Sequence, residues 1–258
     1  MQHRRDDGSA GDVDYAAVGS NYSAFRQPDP RIARLILGRL GNATSVLNVG
    51  AGAGSYEPTD RTVTAVEPSA SMRAQRPAHL STAIDAVAES LPFPDQSFDA
   101  ALATFTVHQW QNLEAGLREM RRVTRGPVVI LSCDPALVTR FWLHDYAADV
   151  LETEARRYPK LSQMAAILGG STKNVSVPIP LDCTDGFNEA YYGRPEMLLR
   201  DDARLACSAW SFVSPEVVHR FKAHLADDLA TGAWDERHAH LRRQPTYDGS
   251  LRLLVATR

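Results

Sequence analysis

At 258 residues the chain can bury a sizeable core as one α/β domain, with or without an insertion, and two independent domains are not expected. A formal net charge of −3 with dispersed Lys and Arg leaves no basic stripe for a phosphate backbone, which argues against a nucleic-acid partner. No apolar run approaches the roughly 20 residues that span a bilayer, and Cys133, Cys183 and Cys207 form no CxxC pair, so a cytoplasmic protein with reduced thiols and no membrane contact is expected.

Residues 1–14 are polar, lack an apolar core or period, and read as a tail with order beginning near Tyr15. Ile32, Leu35, Ile36 and Leu40 recur at helical spacing before the stop signal Gly41-Asn42, predicting a helix over Pro30–Leu40. Ser45–Val49 and Thr62–Val66 are short apolar, β-branched runs and read as buried parallel strands. Residues 98–106 and 127–132 are further strand candidates, and between them Leu113, Leu117, Met120 and Val123 share one helical face. Strand, helix, strand in that order implies a parallel sheet. Residues 136–168 read as helical, 175–181 as a strand, and Leu251–Thr257 as a closing strand after the turn Tyr247-Asp248-Gly249-Ser250. Within the intervening segment, Val217, Val218, Phe221, Leu225 and Leu229 line one face of a predicted helix over 215–229.

The chemistry concentrates at residues 46–55. Gly50, Gly52 and Gly54 alternate directly after a strand, where a ligand approaches the backbone without interference from Cβ atoms. Glu67 ends the next strand, where a carboxylate accepts hydrogen bonds from both hydroxyls of a ribose, so the pair points to a nucleoside. The spacing Gly50-Ala51-Gly52-Ala53-Gly54 does not fit G-x-G-x-x-G, and the few residues before the second strand leave room only for a vestigial helix, which disfavours a dinucleotide.

Four stretches between Tyr22 and Pro135 together resemble the class I S-adenosylmethionine-dependent methyltransferases, in their small-molecule branch. They are the glycine loop; Val63-Thr64-Ala65-Val66-Glu67-Pro68-Ser69 with Met72; Ala88-Glu89-Ser90-Leu91-Pro92-Phe93-Pro94-Asp95-Gln96-Ser97-Phe98-Asp99; and Val107-His108-Gln109-Trp110 followed by Leu117-Arg118-Glu119-Met120-Arg121-Arg122-Val123. The resemblance implies a Rossmann-like, seven-stranded, mostly parallel sheet with an antiparallel last strand and a helical cap. It divides the chain into a tail (1–14), a cofactor-binding core (15–181), a cap forming the acceptor pocket (182–246) and a closing strand of the core (247–258).

The cofactor implied is S-adenosyl-L-methionine, held by Tyr22, Arg26, Asn48, Gly50, Ala51, Gly52, Gly54, Glu67, Pro68, Met72, Ala88, Glu89 and Thr104. In that set Arg26 reaches the methionine carboxylate and Met72 packs on the adenine. Two positions depart from the family pattern: Asn48 stands where relatives usually carry an acid, and Val87 where they often carry Asp.

Methyl transfer is an in-line displacement, so the enzyme's main task is to hold a small-molecule acceptor aligned and shielded from water. His108, just past the strand over 98–106, is the candidate general base. Asp134 is a loop anchor or an acceptor contact, and Asp182 and Asp185 are either an Asx-turn pair or groups that orient a polar acceptor. Trp142, Tyr191, Tyr192, Trp210 and Trp234 are core residues or walls for a planar acceptor. His238-Ala239-His240 lacks companion ligands, so no metal is expected. The alternative function is a cofactor-binding protein that senses the cofactor or catalyses a non-methylating reaction, because a fold does not dictate its chemistry.

Overall fold

The computed structural model describes residues 22–258, so Tyr15 and the tail over 1–14 lie outside the described residues. Six strands form the main sheet: β1 (Ser45–Val49), β2 (Thr62–Val66), β3 (Ala100–Thr104), β4 (Val128–Cys133), β5 (Ser171–Ser176) and β8 (Leu251–Thr257). Their order is β2-β1-β3-β4-β8-β5; the first four run parallel, and β8 is antiparallel to both β4 and β5. The antiparallel last strand is therefore present, and among the described residues the main sheet has six strands rather than seven. Where a further edge strand would lie beyond β2, only the single parallel bridge between Val66 and Ile84 forms.

The central strands are apolar on both faces because both are covered, which is the pattern a parallel sheet requires. On one face Val46, Leu102, Val129 and Leu131 pack against Ile32, Ile36 and Leu40 of the helix Pro30–Leu40. On the other, Leu47, Ala101 and Ile130 meet Leu117, Met120 and Val123 of the helix Leu113–Val123, with Met164 and Leu168 alongside. Asp29 begins the first of these helices by accepting from the Arg31 backbone N–H, with Pro30 at the first helical position.

Two expected elements are divided and a third is absent. The strand expected over 175–181 breaks at Val177-Pro178: its first part is β5, while β6 (Ile179–Pro180) turns away to pair with β7 (Thr246–Tyr247) in a separate ribbon. Proline has no N–H to continue a ladder, which accounts for the break at Pro178. The helix expected over 136–168 is three: Pro135–Val138, His144–Arg157, kinked at Ala147, and Leu161–Leu168, separated from the second by Tyr158-Pro159. Between β1 and β2 no helix forms at all, and the connection is a chain of turns. The segment after β6 holds short 3₁₀ turns and the helices Asp201–Leu205, Pro215–Thr231 and Ala233–His238. Among the described residues no helix is long and apolar enough to cross a membrane.

Candidate cofactor cleft and adjoining chamber

At the carboxyl ends of β1, β2 and β3 the surface opens into a cleft of about 850 Å³. This is the edge of a parallel sheet where ligands gather, because the strand ends present loops rather than packed side chains. Of the sequence candidates, Arg26, Gly50, Ala51, Gly52, Glu67, Pro68, Met72, Ala88, Glu89 and Thr104 line it. Ala53, Ser55, Val87, Phe105, Thr106, Gln109 and Trp110 line it as well. Phe105, Thr106, Gln109 and Trp110 were given no cofactor role in the sequence, although Gln109 and Trp110 lie in one of the stretches that carry the resemblance.

The glycine loop closes tightly against its neighbours. Gly50 has φ +66°, and a Cβ there would land inside the Thr106 side chain, so glycine is required both by conformation and by space. The Gly52 N–H donates to Glu67 Oε2 at 2.8 Å, and the Ser69 N–H donates to Glu67 Oε1 at 2.8 Å. Burial pushes the Glu67 carboxyl up, against the lowering effect of those two backbone donors and of the nearby Arg73 and Arg76 charges. Each carboxylate oxygen has further lone-pair capacity, so both retain the ability to accept from a diol.

Asn48 is fully buried and does not line the cleft. Its Nδ2 donates to Glu57 Oε2 at 3.0 Å, and Glu57 forms a buried pair with Arg76, whose Nη2 reaches both Glu57 oxygens at 2.9 Å. Arg76 Nη1 in turn donates to the Gly52 carbonyl at 3.3 Å. The acid missing at position 48 is thus supplied nine residues on, beneath the loop. Asn48 Oδ1 is a buried acceptor without a hydrogen-bond partner. A buried acceptor of that kind costs stability.

Gly54 lies away from the cleft, lining a shallower groove with Tyr56, Pro58 and Leu80. Tyr22 falls in the short helix Tyr22–Phe25 at the start of the described chain. Arg26 Nε donates to Asp185 Oδ1 at 2.5 Å, and its guanidinium lies 5.0 Å from the Phe105 ring centroid. Tyr56 also donates its hydroxyl to Asp185, at 2.9 Å, so Asp185 is a buried anchor for the segment around Arg26. Asp182 sits at the surface, paired with Arg31. Asp134 caps the helix Pro135–Val138 by accepting from the Ala136 N–H.

His108 lies outside the cleft, in a second chamber of about 560 Å³ that shares Arg26 and Phe105 with it. That chamber is otherwise walled by Glu154, Arg157 and Tyr158 from one side and by Phe187, Asn188 and residues 205–209 from the other. The His108 ring meets Tyr158 edge-on with centroids 4.8 Å apart. Trp142, Tyr191, Tyr192, Trp210 and Trp234 are all buried in the core and line neither space. No group of three His, Cys, Asp or Glu side chains suited to a metal exists among the described residues, His238 and His240 included.

A family profile described as a methyltransferase domain matches residues 47–130, from within β1 to the middle of β4. The chain is similar over 91% of its length to the crystal structure of a protein of Anabaena variabilis described as a methyltransferase from an antibiotic biosynthesis pathway. That likeness has 29% identity and a TM-score of 0.84, and covers 99% of the other chain. It shares its fold with the [4+2]-cyclase SpnF at 20% identity and a TM-score of 0.51, over 88% of this chain and 80% of that one. The uncharacterized protein YafE of Escherichia coli is 39% identical over 46 residues, a match spanning 17% of this chain and only 22% of that protein. Taken with the glycine loop, Glu67 and the strand order, these findings show that the chain carries a class I S-adenosylmethionine-dependent methyltransferase domain.

Proposed function

We propose that the protein transfers the methyl group of S-adenosylmethionine to a small-molecule acceptor of specialised metabolism, in the cytoplasm, with residues 182–246 serving as the cap over the acceptor. The observation that carries this reading is the pairing of two spaces: a cleft built on the glycine loop and Glu67, and a polar chamber joined to it at Arg26 and Phe105. The cofactor, when bound, supplies an activated methyl group on a sulfonium. Glu67 would hold the ribose hydroxyls, Met72 and Val87 would flank the adenine, and backbone groups of Ala88 and Glu89 would meet its edge. The backbone of the glycine loop would receive the methionine end, with Asn48 bracing that loop from beneath through Glu57 and Arg76. The Arg26 guanidinium, held by Asp185, stands at the junction of the two spaces.

In this reading His108, which lines the adjoining chamber, takes the proton that the acceptor's nucleophilic atom gives up. Replacing His108 by Ala is expected to lower kcat by about 10²-fold or more while leaving cofactor affinity unchanged. The reaction itself is tested by incubating the protein with cofactor labelled in its methyl group and a host metabolite extract. Label in a product supports transfer and identifies the acceptor. Tight cofactor binding with no labelled product would instead support a non-methylating role, the reading favoured by the shared fold of a [4+2]-cyclase.

A further inference from the structure

The second chamber carries one feature that the cofactor cleft does not explain. Glu154, on the last turn of the helix His144–Arg157, presents a carboxylate to this space. Its Oε2 accepts from Asn188 Nδ2 at 2.7 Å, and Asn188 is oriented by accepting at Oδ1 from Trp210 Nε1 at 2.9 Å. Among the described residues Oε1 takes no hydrogen bond. The Trp210-Asn188-Glu154 relay therefore fixes one oxygen and leaves the other for a donor from outside the chain.

Two arginines share the chamber: the charge of Arg26 is answered by Asp185, while Arg157 is held by Ser208 Oγ at 3.0 Å and by the Phe212 ring, and both guanidiniums favour the ionised form of Glu154 against its burial. Phe105, Phe187, Tyr158 and His108 supply ring surfaces on the remaining walls. A carboxylate with a vacant oxygen, set among aromatic faces, is the chemistry that recognises an ammonium group. A carboxylate ligand would meet repulsion at Glu154, and a neutral hydroxyl would gain one hydrogen bond without the charge.

We infer that this chamber is the acceptor pocket, that its acceptor is a small primary amine, and that Glu154, positioned by Asn188, is the residue that selects it. This assignment rests on the methyl-transfer reading above. The bound ammonium first gives one proton to His108, which frees the nitrogen lone pair; the nitrogen–methyl bond then forms as the sulfur–methyl bond breaks, and the products are S-adenosylhomocysteine and the protonated secondary amine. Glu154 binds the amine and its remaining N–H, and is not the proton acceptor.

The test uses the full chain saturated with S-adenosylhomocysteine and titrated by calorimetry with 2-phenylethylamine, 2-phenylethanol and phenylacetate as size-matched probes. The amine is expected to bind about tenfold or more tightly than the alcohol, and phenylacetate not to bind. Glu154→Gln is expected to keep S-adenosylhomocysteine affinity within about twofold, which shows that it has folded, and to weaken the amine by about tenfold or more. Equal binding of amine and alcohol, unchanged amine binding in E154Q, or no amine binding to the cofactor-saturated protein overturns the assignment while leaving the cofactor cleft standing. Failure of S-adenosylhomocysteine itself to bind overturns the cofactor reading, and the amine pocket falls with it.

Discussion

Replacing Glu67 by Gln changes almost no volume but exchanges one carboxylate oxygen for an NH₂ group. In the native chain each oxygen accepts a backbone N–H, from Gly52 and from Ser69, both at 2.8 Å. Glutamine can keep one of those bonds and must set its amide protons against the other donor. A buried N–H left without a partner costs about 1–3 kcal/mol. Burial already disfavours the charged form of Glu67, so the neutral amide recovers part of that cost, and the net loss of stability should lie near the lower end. Cofactor affinity has no such compensation. A hydrogen bond to a charged acceptor contributes about 1.5–3 kcal/mol, so losing one ribose contact weakens S-adenosylhomocysteine binding by roughly 10- to 100-fold. Calorimetric titration measures the affinity, and differential scanning calorimetry the stability. A Kd within about twofold of wild type, with Tm unmoved, would refute the assignment of Glu67 to the ribose.

Three further outcomes follow from the same geometry. Gly50→Ala, at φ +66° and against Thr106, is expected to cost about 2–4 kcal/mol of stability and to abolish measurable cofactor binding, checked by thermal unfolding with and without S-adenosylhomocysteine. Glu57→Gln leaves Arg76 as a buried, unpaired charge, and a loss of about 3–5 kcal/mol should lower Tm by roughly 10 °C. Burial pushes the Glu189 carboxyl up to about 7 from its ordinary 4.5, so its contribution to stability is full below about pH 4.5 and is lost as pH rises through about 7. That loss is on the order of 3 kcal/mol, and Glu189→Gln, which cannot ionise, should flatten the fall in Tm between pH 5 and 8.

How far the sequence reached depended on whether the determinants were local. The glycine run, Glu67 and the helix Leu113–Val123 each carry their signal within a few residues, and the sheet edge formed by β1, β2 and β3 follows from them. The division of residues 175–181 was also local, because Pro178 cannot donate to a ladder, but the β-branched run around it dominated the reading. The second chamber was not legible. Glu154, Tyr158, Phe187, Asn188 and Cys207 come from three separated segments without a motif, and Glu154 in sequence looks like any charge on an amphipathic helix. Asn48 shows the same limit in another form: its departure from the family pattern was visible, but its answer, Glu57 with Arg76, appears only when the turns after the glycine loop fold back beneath it.

The missing helix between β1 and β2 has a consequence for how the nucleoside end is kept in shape. A helix would brace the loop through its own amides; here the two peptide groups of Gly52 are fastened instead by side-chain charges, the N–H by Glu67 and the carbonyl by Arg76. Coulombic struts of that kind respond to ionic conditions and to protonation in a way a helical brace does not. The protection of the Gly52 amide against deuterium exchange, measured relative to its intrinsic rate at each pH, should therefore fall as acid protonates Glu67, ahead of the amides of the adjacent strands β1 and β3.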